Sequence, residues 1–143
     1  MAKVEMISEI LTKVEKETSR KKKVEILKSY SKNNALRVIL KGTFDKNVEF
    51  LLPEGDPPFT TQDAAIDNRG ALYNEVRKMY LYVKNDNSDN INPIKRERLF
   101  IEMLETLPKE EAAVVLGMKD GKLPFKGITE KLVREAFPEL ISS

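Results

Sequence analysis

Residues Gly117–Phe137, GMKDGKLPFKGITEKLVREAF, decide how the rest of the chain is read. The stretch begins where an apolar run, Ala112–Leu116, ends, and it interleaves Gly117, Gly121 and Gly127 with Lys119, Lys122 and Lys126. Ile128 and Thr129 follow, then a short amphipathic run carrying Leu132, Val133, Ala136 and Phe137. The order is helix, glycine-basic turn, helix. Thr129 is suited to cap the second helix because its hydroxyl can accept from an orphan backbone N–H. Glycine beside a helix start lets backbone N–H groups approach a bound anion, and Lys119, Lys122, Lys126 and Lys131 add full positive charges. That combination suits a phosphate backbone. It equally suits a plain helix–helix connection whose lysines are solvated.

Working back to the N-terminus, residues 3–16 place Val4, Ile7, Ile10, Leu11 and Val14 on one helical stripe. Thr18-Ser19 offers an N-cap for a helix over 19–31 with Val24, Leu27 and Tyr30 inward. Its first turn holds Arg20, Lys21, Lys22 and Lys23, four cations that oppose the helix dipole and repel one another. A local violation of this kind with no structural gain points to function; the plain reading is a solvated face. Asn33 or Asn34 can cap a third helix ending near Gly42, and the run Val48–Leu52 fits either a turn or a strand.

Pro53, Gly55, Pro57 and Pro58 then break regular structure, and a polar loop, expected to be mobile, continues to Gly70. Residues 71–84 give a stripe of Leu72, Tyr73, Val76, Met79, Tyr80 and Val83. At that spacing the tyrosines read as core rather than as base-stacking platforms. Residues 85–92, NDNSDNIN, form a polar linker without the glycine and terminal glutamate of a calcium loop. Pro93 starts a helix with Phe100, Met103, Leu104 and Leu107 inward, and Pro108 starts another with Glu110 and Glu111 in its first turn. The expectation is an all-α single domain spanning residues 1–143.

Composition narrows the chemistry. Among 143 residues there is no cysteine, histidine or tryptophan. Thiolate metal sites, thiol nucleophiles and histidine acid–base catalysis are therefore excluded. The chain carries 23 acidic residues, so fortuitous carboxylate pairs are expected and none stands out as catalytic. No catalytic residue, metal ligand or cofactor is assigned. The apolar stretch at the start is interrupted by Lys3, Glu5 and Glu9, and no run is long enough to span a membrane, so a cytoplasmic protein without a membrane partner is expected. Net charge is only +2, but residues 1–50 hold 12 Lys/Arg against 7 Asp/Glu, whereas residues 51–92 hold 4 against 7. An anion-binding face would draw on the N-terminal part and on local clusters near the C-terminus.

Several of these segments resemble the N-terminal DNA-binding domain of phage-type ATP-dependent DNA ligases. At the C-terminal end the resemblance is carried by Glu110-Glu111-Ala112-Ala113, Lys122-Leu123, Gly127-Ile128-Thr129 and Leu132-Val133. At the N-terminal end it is carried by Ile10-Leu11-Thr12-Lys13-Val14, by the run from Ser19 to Lys28, and by Asn33-Asn34-Ala35-Leu36-Arg37-Val38. The chain also looks like small proteins encoded by tailed phages. Two departures stand out: Pro124-Phe125 lengthens the turn, and Lys119-Asp120-Gly121 lacks the intervening residue of the Lys-x-Asp-Gly adenylation motif. The resemblance implies a non-catalytic, multi-helix domain that binds duplex DNA by its backbone in phage replication or repair, in the host bacterial cytoplasm. It implies a footprint of Arg20, Lys21, Lys22, Lys23, Lys119, Lys122, Lys126, Gly127, Thr129 and Lys131. The alternative is a protein-interaction module that keeps the fold and binds a phage or host replication protein instead of DNA. The acidic 51–92 segment and the near-neutral charge favour that alternative.

Overall fold

Apolar stripes at helical spacing become seven α-helices in a computed structural model that describes residues 5–60 and 70–141. They are α1 Ile7–Lys16, α2 Arg20–Ser29, α3 Asn34–Phe44, α4 Ala71–Glu75, α5 Pro93–Glu105, α6 Lys109–Asp120 and α7 Glu130–Ala136. Tight 3-10 turns cover Val76–Tyr82 and Ser88–Asn90. The described residues contain no strand, only one antiparallel bridge between Phe50 and Val83. Around it the Leu51 N–H donates to the Tyr82 carbonyl and the Lys84 N–H to the Glu49 carbonyl, each at 2.8 Å. The run Val48–Leu52 is therefore neither a helical turn nor part of a sheet. Of the loop expected over 53–70, residues 61–69 lie outside the described residues, and so does its expected mobility.

Helix starts follow their capping residues. Ser19 Oγ accepts from the Lys22 N–H at 3.4 Å, Asn33 Oδ1 from Leu36 at 3.0 Å, Asn92 Oδ1 from Ile94 at 2.8 Å and Thr129 Oγ1 from Leu132 at 3.2 Å. Two boundaries differ from the sequence expectation. The helix expected over 71–84 is α-helical only to Glu75, and the 3-10 segment that follows buries Val76, Met79 and Tyr82, three residues apart. The tighter period rotates Tyr80 out to 62% exposure and turns Tyr82 in against Phe100, with ring centroids 5.3 Å apart. Helix α6 also runs through Gly117 and ends only at Gly121, a left-handed cap with φ 76°. The glycine-basic turn is consequently shorter than the sequence suggests, and Lys119 belongs to the last turn of a helix.

The core forms where α3 packs on α6, α2 on α7, and α1 on both α2 and α6. Ile7, Ile10, Leu11 and Val14 of α1 are all 0% exposed. Burial of such side chains contributes roughly 1.5–3 kcal/mol each before conformational entropy is charged. Helix α1 is also held at its start by a distant group. Glu111 of α6, itself 0% exposed, accepts from the Ile7 N–H at 3.1 Å and the Ser8 N–H at 2.7 Å. Burial pushes the Glu111 carboxyl above its ordinary value, and those two N–H donors only partly offset the effect. Nearby, Tyr30 and Lys13 both bond the Glu5 carboxylate. Burial opposes the charge on Glu5, but these two bonds outweigh it and hold the carboxyl low.

The polar linker at 85–92 is organised by a residue whose role the sequence concealed. Arg96, 4% exposed, donates to the carbonyls of Leu81 at 3.0 Å, Ser88, and Ile91 at 3.4 Å. Its Nε and Nη2 donors satisfy loop carbonyls that would otherwise be stranded at the edge of the core.

Candidate nucleic-acid interface

The two basic segments singled out in the sequence lie far apart in the chain and meet in space. Lys23 is the joint. Its ammonium donates to the Val14 carbonyl at 3.0 Å and the Glu15 carbonyl at 3.5 Å, which closes the C-terminal end of α1. The same ammonium lies over Gly127, where an added Cβ would come within 2.9 Å of Nζ. Gly127 has φ +79°, a left-handed conformation that side-chain-bearing residues rarely adopt. Glu15 binds the turn from the other side, its carboxylate accepting from the Lys126 N–H at 2.7 Å. The end of α1, the first turn of α2 and the turn before α7 thus form one surface.

Position on the helix sorts the cations of α2. Successive residues point about 100° apart, so Arg20 and Lys22 flank Lys23, while Lys21 points furthest from it. Arg20 is shared with α7, its Nε lying 3.3 Å from the Glu135 carboxylate, and both side chains are half exposed. Such a pair contributes at most about 1 kcal/mol, so the guanidinium remains available to a stronger anion. Lys21, Lys22, Lys126 and Lys131 are exposed and hold no ion pair among the described residues.

Not every residue of the expected footprint joins this surface. Lys119 points elsewhere: its ammonium donates to the carbonyls of Pro53 at 2.8 Å and Gly55 at 3.1 Å and pairs with Asp120 at 2.6 Å. With a side chain only 2% exposed, it fastens the Pro53–Gly55 segment to the end of α6 rather than facing solvent. Lys23 is likewise spent on carbonyls. Lys122 is exposed and holds no ion pair among the described residues, and its backbone N–H donates to the Gly117 carbonyl at 2.8 Å at the end of α6. Thr129 acts as the cap expected of it, and Gly127 accommodates Lys23 rather than an open approach for a ligand. What the sequence could not show is that Glu15 and Lys23 are the residues that bring the two clusters together.

A family model matches residues 10–124, most of the chain, and its description is Family of unknown function (DUF6433). The chain belongs to this family. The DUF6433 match covers the cluster Arg20–Lys23, Lys119 and Lys122, and it ends before Lys126, Gly127, Thr129 and Lys131. No curated protein matches the chain. Among the described residues of this DUF6433 protein, no helix is long and apolar enough to cross a membrane.

Proposed function

We propose that this DUF6433 protein binds duplex DNA through the phosphate backbone, without reading base sequence and without chemistry of its own. The observation that supports the reading is the junction at Lys23, which sets two basic segments side by side with Lys22, Lys126 and Lys131 holding no ion pair among the described residues. Lys22, Lys126 and Lys131 are the contacts, and Arg20 is a fourth that exchanges Glu135 for a phosphate. Ammonium groups of this kind position a protein on the duplex and carry no base information. The resemblance to the ligase domain supports the same reading and suggests phage DNA replication or repair as its setting.

Each neutralised phosphate adds about 0.9 to the slope of log affinity against log salt, so four contacts give a slope near −4. Replacing Lys22, Lys126 and Lys131 together with Ala should flatten that slope by nearly 3 on any duplex sequence, because three ammoniums are removed. Lys21→Ala should change it by well under 1, since that side chain points away from the junction. Fluorescence anisotropy with two duplexes of unrelated sequence, at several salt concentrations, measures all of this. An equal effect of Lys21 and Lys22 would show that charge alone, and not the junction, sets the binding.

A further inference from the structure

A second feature lies on a different part of the molecule. Between the Leu52–Pro58 segment and α5 there is a cleft of about 270 Å³. Leu52, Phe100 and Ile101 supply apolar lining, while Glu54, Asp56 and Glu97 supply carboxylates. All three acids are exposed and hold no hydrogen bond or ion pair among the described residues. Lys119 also lines the cleft, but it is already committed to two carbonyls and to Asp120, so it offers no free positive charge. The cleft therefore combines an apolar floor with a net negative rim. Its volume falls below the roughly 300–1,000 Å³ of a small-molecule site and suits one or two side chains.

We propose that this cleft docks a short segment of a partner protein in which arginine or lysine alternates with an aliphatic residue. Charge complementarity selects the occupant. Three unpaired carboxylates beside apolar surface favour a long basic side chain that lays its methylene stem over Leu52 and Ile101 and brings its cationic head to Glu54, Asp56 and Glu97. An acidic or phosphate-bearing ligand meets repulsion at the same rim. Lys119 is the positioning residue: by holding the carbonyls of Pro53 and Gly55 it fixes the wall that carries Glu54 and Asp56. The inference does not depend on DNA binding, since no residue of the cleft belongs to the basic surface.

The test is a titration of the isotope-labelled full chain with the acetylated hexapeptide Arg-Leu-Arg-Leu-Arg-Leu, followed by NMR. Saturable shifts are expected at the Leu52 and Ile101 methyls, with none at Lys22, Lys126 or Lys131. The triple variant Glu54→Gln, Asp56→Asn, Glu97→Gln changes only exposed side chains and should weaken binding about tenfold or more. Replacing Arg with Asp in the peptide should abolish binding. Replacing Leu with Gly should weaken it severalfold, which separates a built cleft from loose charge attraction. Lys119→Met should also weaken it, and the Leu52 and Gly55 resonances should show whether the wall has shifted. Unchanged affinity in the triple variant, equal binding of the glycine peptide, or shifts at the cleft with DNA but not with the peptide would each overturn the proposal.

Discussion

The two ends of α1 are both held by charged side chains from elsewhere in the chain, yet they differ in kind. At the start, the Glu111 carboxylate is fully buried and bonds two N–H groups that the helix itself leaves without partners. At the finish, the Lys23 ammonium bonds the Val14 and Glu15 carbonyls at a half-open surface and touches Gly127 as it does so. The first tie is internal architecture. The second also fixes the relation between two basic segments, and so it shapes the proposed interface without being a contact of it. A lysine within a basic run is thus not counted as an anion ligand until its ammonium is known to be unoccupied.

Breaking the buried tie should have the largest effect. Glu111→Ala leaves the Ile7 and Ser8 N–H groups unpaired in a dry site, at a cost of about 3 kcal/mol in chemical denaturation. DNA affinity of the folded fraction should stay unchanged. A parallel loss of affinity would mean that the two ends of α1 are not separable. Gly127→Val attacks the exposed tie from the other side. A β-branched residue at positive φ, with its Cβ driven against Lys23, should cost about 2 kcal/mol and loosen the turn, lowering DNA affinity.

Lys23→Met should cost less, about 1 kcal/mol, because the α1 carbonyls it leaves are near water. Its signature is in the salt dependence: affinity falls a few-fold while the slope against log salt stays within about 0.3 of the wild type, since no phosphate contact is lost. A drop of nearly 1 in the slope would make Lys23 a direct ligand. The smallest effect is a matter of pH. The folded-state value of Glu111 is raised, so the folded protein keeps its proton to higher pH than the unfolded chain does. The stability contributed by this group is therefore complete below about 4.5, the ordinary value, and is lost as pH rises through the raised value. Urea midpoints at several pH values should show the wild type losing ground to Glu111→Gln across that window. A wild type that gains on the variant as pH rises would reverse the sign.

Much of the architecture is legible in local pattern. The stripe Ile7, Ile10, Leu11 and Val14 and the caps Ser19, Asn33 and Thr129 mark helices whose chemistry is written within a few residues. The 3-10 segment is not legible, because Val76, Met79 and Tyr82 fit a three-residue period only after the tighter winding is known. Nor is the buried Arg96, whose partners are loop carbonyls that carry no sequence signal. In the candidate site, the residue types and the two clusters are visible in the sequence. The division of labour among their lysines is not, since Lys23 and Lys119 differ from Lys22 and Lys126 only in which carbonyls stand within reach. Long-range hydrogen bonds decide that, and the sequence holds no local trace of them.

Backbone binding through Arg20, Lys22, Lys126 and Lys131 stands or falls on its salt dependence. Wild-type protein titrated onto a fluorescent duplex between 50 and about 200 mM salt should give a slope near −4, and the Lys22, Lys126 and Lys131 triple alanine variant a slope near −1. A wild type without salt-dependent binding at the low end of that range, or a triple variant with the wild-type slope, would contradict it.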